Sequence, residues 1–231
     1  MSTLVADKKS LKPLGIIIAA FNIVLALYSL LIFLALCLNN TLDGVLPKNL
    51  TIGGAFPIIS NIIDIIQVLA TVLLLIWFIL VKGHINNGAR VVAIIGLSIL
   101  IAFDIFATIT NICFTLEERG EILFSNVYYI VINTFFTYAN LILIGVAFIV
   151  MGRQLGKGAG SWAMANGIVR LIQLLVSIIN TASNFILTSR VPIQRLISIH
   201  QFNYTLSIGL TLVYYITIII FFFKFSLKED K

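Results

Sequence analysis

Six long apolar segments, at 14–38, 56–81, 91–115, 125–151, 167–188 and 206–223, take up most of this 231-residue chain. Each meets or approaches the roughly 20 apolar residues that a helix needs to cross a bilayer core. Lipid offers no partner to backbone N–H and C=O groups, so an isolated apolar segment of this length must satisfy them within a helix. Only 10% of the residues are charged and 60% are hydrophobic, far too little charge to cover a soluble surface. The expected fold is therefore an all-α, polytopic membrane protein: a six-transmembrane-helix bundle forming one domain over 1–231. Lys8, Lys9 and Lys12 precede the first segment like the start of a signal peptide. The apolar run that follows is too long for a leader, so a retained first span is expected.

Four segments carry polar residues in steps of three and four, which places each set on one helix face. The second has Asn61, Asp64, Gln67 and Thr71; the third has Asp104, Thr108 and Asn111; the fourth has Asn133, Thr137 and Asn140. The fifth has Arg170, Gln173, Ser177, Asn180 and Asn184, the longest such line in the chain. Acyl chains cannot satisfy these groups, so the faces are expected to turn inward, toward one another or toward water. Such an interior serves one of two ends: it holds helices together, or it lines a pathway.

Asp64 and Asp104 are the sharpest features. With antiparallel second and third helices they fall at similar depth, and each acid costs about 2.5–3.5 kcal/mol at a helix centre on insertion scales. One reading makes them a cation or proton site. The other has them protonated, or satisfied by Asn61, Gln67, Asn111 and Asn133. Arg170 is expected near the inner headgroups, in the first turns of a span starting at 167, either snorkelling or guarding the inner mouth of a pathway.

Basic residues set the expected orientation. One set of alternating segments holds Lys8, Lys9, Lys12, Lys82, Arg90, Arg153, Lys157, Arg170, Lys224, Lys228 and Lys231, and the opposite set holds Lys48, Arg119, Arg190 and Arg195. Both termini are thus expected in the cytoplasm. The sequons at Asn39, Asn49 and Asn203 all fall on the outer side in this scheme, as possible glycosylation sites. The net charge of +6 follows from this orientation and from attraction to anionic inner-leaflet lipid, and no nucleic-acid-binding motif accompanies it.

Other chemistry finds little footing. His84 and His200 lie in loops on opposite sides, so neither a metal centre nor haem ligation is expected. Cys37 and Cys113 read as unrelated thiols. Gly152 to Gly158 resembles a phosphate loop only superficially, with Met151 in the first glycine position and Gly158 in place of Ser or Thr, and no catalytic motif appears. Neither an enzyme nor a cofactor is expected. Gly96, Gly145 and Gly209 read as isolated close-packing points without a sustained Gly-xxx-Gly seam, which leaves the polar faces to join the helices. Residues 192–198 read as a short interfacial helix or as an early start of the sixth span. Gly83 and Gly152 align in a faint repeat of the two inner hairpins, a likeness that basic Gly/Asn inner turns explain without duplication.

The function expected is membrane transport, channel-type conduction, or a membrane subunit of a translocation machine, with a polar pathway between helices 2–5. Its residues would be Asn61, Asp64, Gln67, Asp104, Asn111, Asn133, Asn140, Arg170, Gln173, Asn180 and Asn184. The competing class is a non-catalytic scaffold or accessory subunit whose polar faces only join helices. A third is the membrane component of a DNA- or protein-import system driven by a separate ATPase. The partners implied are the plasma-membrane bilayer, other membrane subunits or an ATPase, and a second copy of the chain.

Overall fold

The computed structural model describes the backbone of residues 8–41, 55–113, 127–187 and 193–227, and the side chains of most of them. Six helices make up the described chain: α1 (Lys8–Thr41), α2 (Ala55–Leu80), α3 (Asn87–Cys113), α4 (Val127–Leu155), α5 (Ala159–Leu187) and α6 (Ile193–Leu227). All six contain stretches long and apolar enough to cross a membrane. Each helix packs against its neighbours in the chain, and α6 closes on α1, so the bundle is a ring in sequence order. Its outer surface is studded with large apolar side chains such as Leu27, Leu31, Phe135, Leu175 and Phe202, a surface suited to acyl tails rather than water.

Two helices begin eight or more residues before their apolar runs. α5 starts at Ala159 rather than 167, and α6 at Ile193 rather than 206. The sixth helix thus absorbs 193–198, and no separate interfacial helix forms there. The early start of α5 has a packing cause. A Cβ on Gly160 would lie 2.5 Å from the Gly152 carbonyl oxygen, and one on Gly167 would lie 2.5 Å from that of Gly145. Backbones meet at both points, so α4 and α5 share a glycine seam at seven-residue spacing, close packing of the kind small residues allow between membrane helices. Gly145 is a close-packing point as its isolation in an apolar segment suggests, and Gly152, Gly160 and Gly167 join it. Gly160 and Gly167, embedded in Gly-Ala-Gly-Ser and Ala-Asn-Gly, look like turn residues but are contact residues.

The turn end of the bundle is tightly finished. Residues 81–86 join α2 to α3 and 156–158 join α4 to α5. Gly83, Gly156 and Gly158 have φ of 87°, 69° and 88°, a left-handed backbone that glycine adopts without penalty. The turn role of Gly83 is therefore matched by Gly156 and Gly158, whereas Gly152 lies inside α4; the alignment of Gly83 with Gly152 does not hold. Asn86 caps α3, its Oδ1 accepting from the Gly88 and Ala89 N–H groups at 2.8 and 3.2 Å. Its own N–H donates to Gln154 Oε1 at the end of α4. Arg90 donates back to the Ile79 carbonyl at 3.3 Å, satisfying an orphan at the end of α2. Loss of the cap in Asn86→Ala should cost about 1 kcal/mol. Thermal unfolding should register it as a fall of about 2–4 °C in Tm.

Above these turns sits an aromatic cluster. Trp77 meets Phe78, Phe221, Phe222 and Phe225 edge to face, with centroids 5.1–5.8 Å apart. Phe148 of α4 joins through Phe78 at 5.7 Å. Trp77, Phe78, Phe148 and Phe221 are fully buried. Helices α2, α4 and α6 thereby fill the ring at this level with side chains, in the geometry that aromatic quadrupoles favour.

Candidate functional site

One helical turn beyond Trp77 the filling stops. A cavity of about 240 Å³ opens inside the ring. α1 lines it with Asn22 and Leu25, and α2 with Gln67, Ala70, Thr71 and Leu74. α6 adds Thr211, Tyr214 and Tyr215, while α3 gives Leu100 and α5 gives Arg170. Helix α4 contributes no lining residue. The interior is thus shared by α1, α2 and α6 with one residue each from α3 and α5, a different set from the four helices α2–α5 that the polar spacing singled out.

Arg170 is the charged group of the lining. Because α5 begins at Ala159, Arg170 lies eleven residues in, about 16 Å along the axis at 1.5 Å per residue. It is well inside its helix rather than in the first turns, which corrects the start at 167 from which its place was counted. Its guanidinium carbon sits 3.4 Å from the Tyr214 ring centroid, a cation–π contact worth about 0.5–2 kcal/mol depending on desolvation. Nη1 donates to Gln173 Oε1 at 3.2 Å, and Gln173 Nε2 donates onward to Thr211 Oγ1 at 3.2 Å. Thr211 in turn donates to the Ser207 carbonyl at 3.0 Å. Arg170 Nε is buried with no hydrogen-bond partner.

A second polar string approaches from α3. Asp104 is buried, with a relative exposure of 9%, and hydrogen-bonds to the Gln67 side chain. Gln67 also accepts from the Tyr215 hydroxyl at 3.5 Å, a long contact. Thr71 donates to the Gln67 carbonyl at 2.9 Å. Asp104 Oδ2 is buried without a partner, and the charges of both Arg170 and Asp64 act on this carboxyl group. Asp104 stands behind Gln67 rather than in the cavity wall, so the cavity meets the acid through an amide. The resulting site has a fixed cation in its wall, an acid just outside it, and hydroxyls and amides between them.

The polar residues marked by spacing divide accordingly. The structure gathers Gln67, Asp104, Arg170 and Gln173 around the cavity, with Asp64 close enough to act on Asp104. Asn61 is half-buried on α2. Asn140 is buried on α4 away from the lining, its Oδ1 lacking a partner. Asn180 accepts from Asn203 of α6 at 3.2 Å, so the sequon residue Asn203 is engaged inside the bundle. The side chains of Asn39, Asn49, Asn111, Asn133 and Asn184 lie outside the described residues, as does that of Cys113. Among the described residues, no group of three or more His, Cys, Asp or Glu side chains is placed to hold a metal ion.

Spacing overlooked Asn22, Thr211, Tyr214 and Tyr215. Asn22 is one amide in an otherwise apolar α1, and its Nδ2 donates to the Ile18 carbonyl at 2.8 Å within its own helix. On α6 the signal was present: Ser207, Thr211 and Tyr214 recur at steps of four and three. Tyrosine carries an apolar ring as well as a hydroxyl, so within an apolar segment it does not stand out as polar. Tyr214 supplies the face on which Arg170 rests. Comparison with protein-family models, with curated proteins and with solved structures gives no match for this chain.

Proposed function

We propose that the protein is a multi-pass membrane transporter or channel-type protein that passes a small solute through the cavity at Arg170. Both chain ends lie in the cytoplasm in this reading, the plasma membrane is its site, and Asn39 and Asn49 are its glycosylation sites. What carries the reading is a polar cavity with a charged wall at mid-depth of an apolar ring, set directly above a dry aromatic plug. A bundle held only by polar glue gains nothing from such a space, and holding an arginine there costs about 2.5–3.5 kcal/mol on insertion scales. Its dimensions suit a small molecule and not a nucleic acid or a polypeptide, which ranks solute transport above macromolecular import. The energy source is a gradient or a separate ATPase.

The scaffold reading keeps one specific support. Tyr138 of α4 donates to the Ser177 carbonyl and Thr181 Oγ1 of α5, at 3.2 and 2.9 Å. Asn166 of α5 donates to the Tyr214 carbonyl and Thr217 Oγ1 of α6, at 3.2 and 2.9 Å. Much of the polar content of α5 therefore joins helices.

Thiol labelling separates the readings. With Cys37 and Cys113 replaced by serine, a Thr71→Cys or Thr211→Cys variant should react with a membrane-impermeant maleimide from one face of sealed vesicles. A fraction should react from the other face as the protein cycles. Asp104→Asn should fold and insert, yet lose the exchange of accessibility between faces. No labelling from either face would sink the transport reading.

A further inference from the structure

We infer that the cavity holds a small organic acid, its carboxylate on the Arg170 guanidinium and its short apolar body against Leu25, Leu74 and Leu100. The inference builds on the transport reading by naming the class of solute. It starts from how Arg170 is held. The Tyr214 ring fixes the plane of the guanidinium and Gln173 takes one of its terminal nitrogens, while Nε has no hydrogen-bond partner. Nε itself is buried, so the terminal Nη groups are the parallel N–H donors left for a ligand, the pattern that a planar carboxylate matches with two bonds. The plane is set before the ligand arrives, so little ordering entropy opposes binding.

The remaining wall tells an organic acid from an inorganic anion. Thr71, Thr211 and Asn22 give the Arg170 side its polar character, whereas Leu25, Ala70, Leu74 and Leu100 form an apolar patch in the same cavity. Phosphate or sulfate would leave that patch facing its own oxygens. A carboxylate on a short hydrocarbon would satisfy both halves. At about 240 Å³ the cavity falls just below the usual 300–1,000 Å³ of sites for drug-sized ligands, so the solute has few heavy atoms. Depth removes the other natural source of an oxyanion. Arg170 lies near the midpoint of the 24-residue apolar stretch Ala159–Ala182 of α5, which in a spanning helix keeps it away from lipid headgroups. Asp104 does not obstruct the site: it is not among the lining residues and hydrogen-bonds to Gln67.

The test uses the full chain, purified in a non-ionic detergent. Radiolabelled acetate, isovalerate and benzoate are measured by equilibrium dialysis, alongside their neutral amides and inorganic phosphate. At least one acid should bind saturably, and both its amide and phosphate should bind at least about tenfold more weakly, as loss of a charge-assisted pair requires. Arg170→Gln should remove the preference for acid over amide. Arg170→Lys should keep part of it and lose about tenfold in affinity, because an ammonium does not present the paired donors. The acid–amide comparison needs only the unaltered protein, so it decides even where both variants fail to fold. Equal binding of acid and amide, phosphate binding as tightly as the best acid, or no binding of any acid each overturns the assignment. The two readings fail separately. Thiol exchange between faces without acid binding leaves transport standing and removes the organic acid. Acid binding without thiol exchange leaves the site and removes transport.

Discussion

Gly160→Leu should leave the protein unable to form a monodisperse bundle. A single Cβ at this position already lies 2.5 Å from the Gly152 carbonyl oxygen and 3.0 Å from the Leu155 carbonyl carbon. Those neighbours are backbone, which cannot turn aside as a side chain can. Even alanine must push α5 away from α4, and overpacking of this kind costs about 1–3 kcal/mol. Leucine must part the helices along the whole seam, breaking the Gly145–Gly167 contact as well. Between membrane helices, van der Waals packing does the work that the hydrophobic effect does in water, so lost contact has no solvent term to soften it. Size-exclusion profiles of Gly160→Ala and Gly160→Leu should deteriorate in that order. Ser161→Leu, one residue along on the exposed side of α5, should match the unaltered chain. A well-behaved Gly160→Leu protein would mean that α4 and α5 do not meet as described.

Trp77→Ala should have two separate consequences. The indole is fully buried and abuts four phenylalanine rings. Its removal leaves a void, and large-to-small changes of aromatic residues typically cost about 3–5 kcal/mol. The void also lies next to Leu74, part of the cavity wall, so it extends the polar space toward the turn end. A thiol at Thr71, in the background without native cysteines, should then react rapidly from the side of the 81–86 turn. Trp77→Phe should restore most of the barrier at a smaller cost in stability. Lower stability with unchanged labelling would assign the rings a packing role only.

Segment length and apolarity give the six helices directly, because nothing but a helix satisfies that much backbone in lipid. Helix starts were harder to place. Ala159 to Asn166 is rich in Gly, Ala and Ser, which mark turns in water but close contacts between membrane helices. Only the facing residues Gly145 and Gly152 distinguish the two, and pairing is a property of the fold. The same ambiguity puts Arg170 in the first turns of its helix when only the sequence is read, since its place is counted from the helix start. Polar spacing located Gln67, Asp104, Arg170 and Gln173, because steps of three and four survive whatever the helix packs against. It also marked Asn180 and Asn140, which occupy the same faces but join or bury between helices. Position on a face does not record which neighbour that face meets. Asn22 and Tyr214 escaped because one is solitary and the other carries both an apolar ring and a polar tip.

Since the six helices follow one another around a circle and the last returns to the first, none of them runs down the axis. The cavity is therefore bounded by side chains rather than by main chain at the level of Arg170. Its width and polarity are set residue by residue, chiefly on α1, α2 and α6, while the glycine contacts that fix α4 against α5 lie elsewhere on the circumference. On the transport reading proposed above, a change at a single position such as Asn22, Leu74 or Thr211 would alter what the cavity accepts and leave the α4–α5 seam untouched.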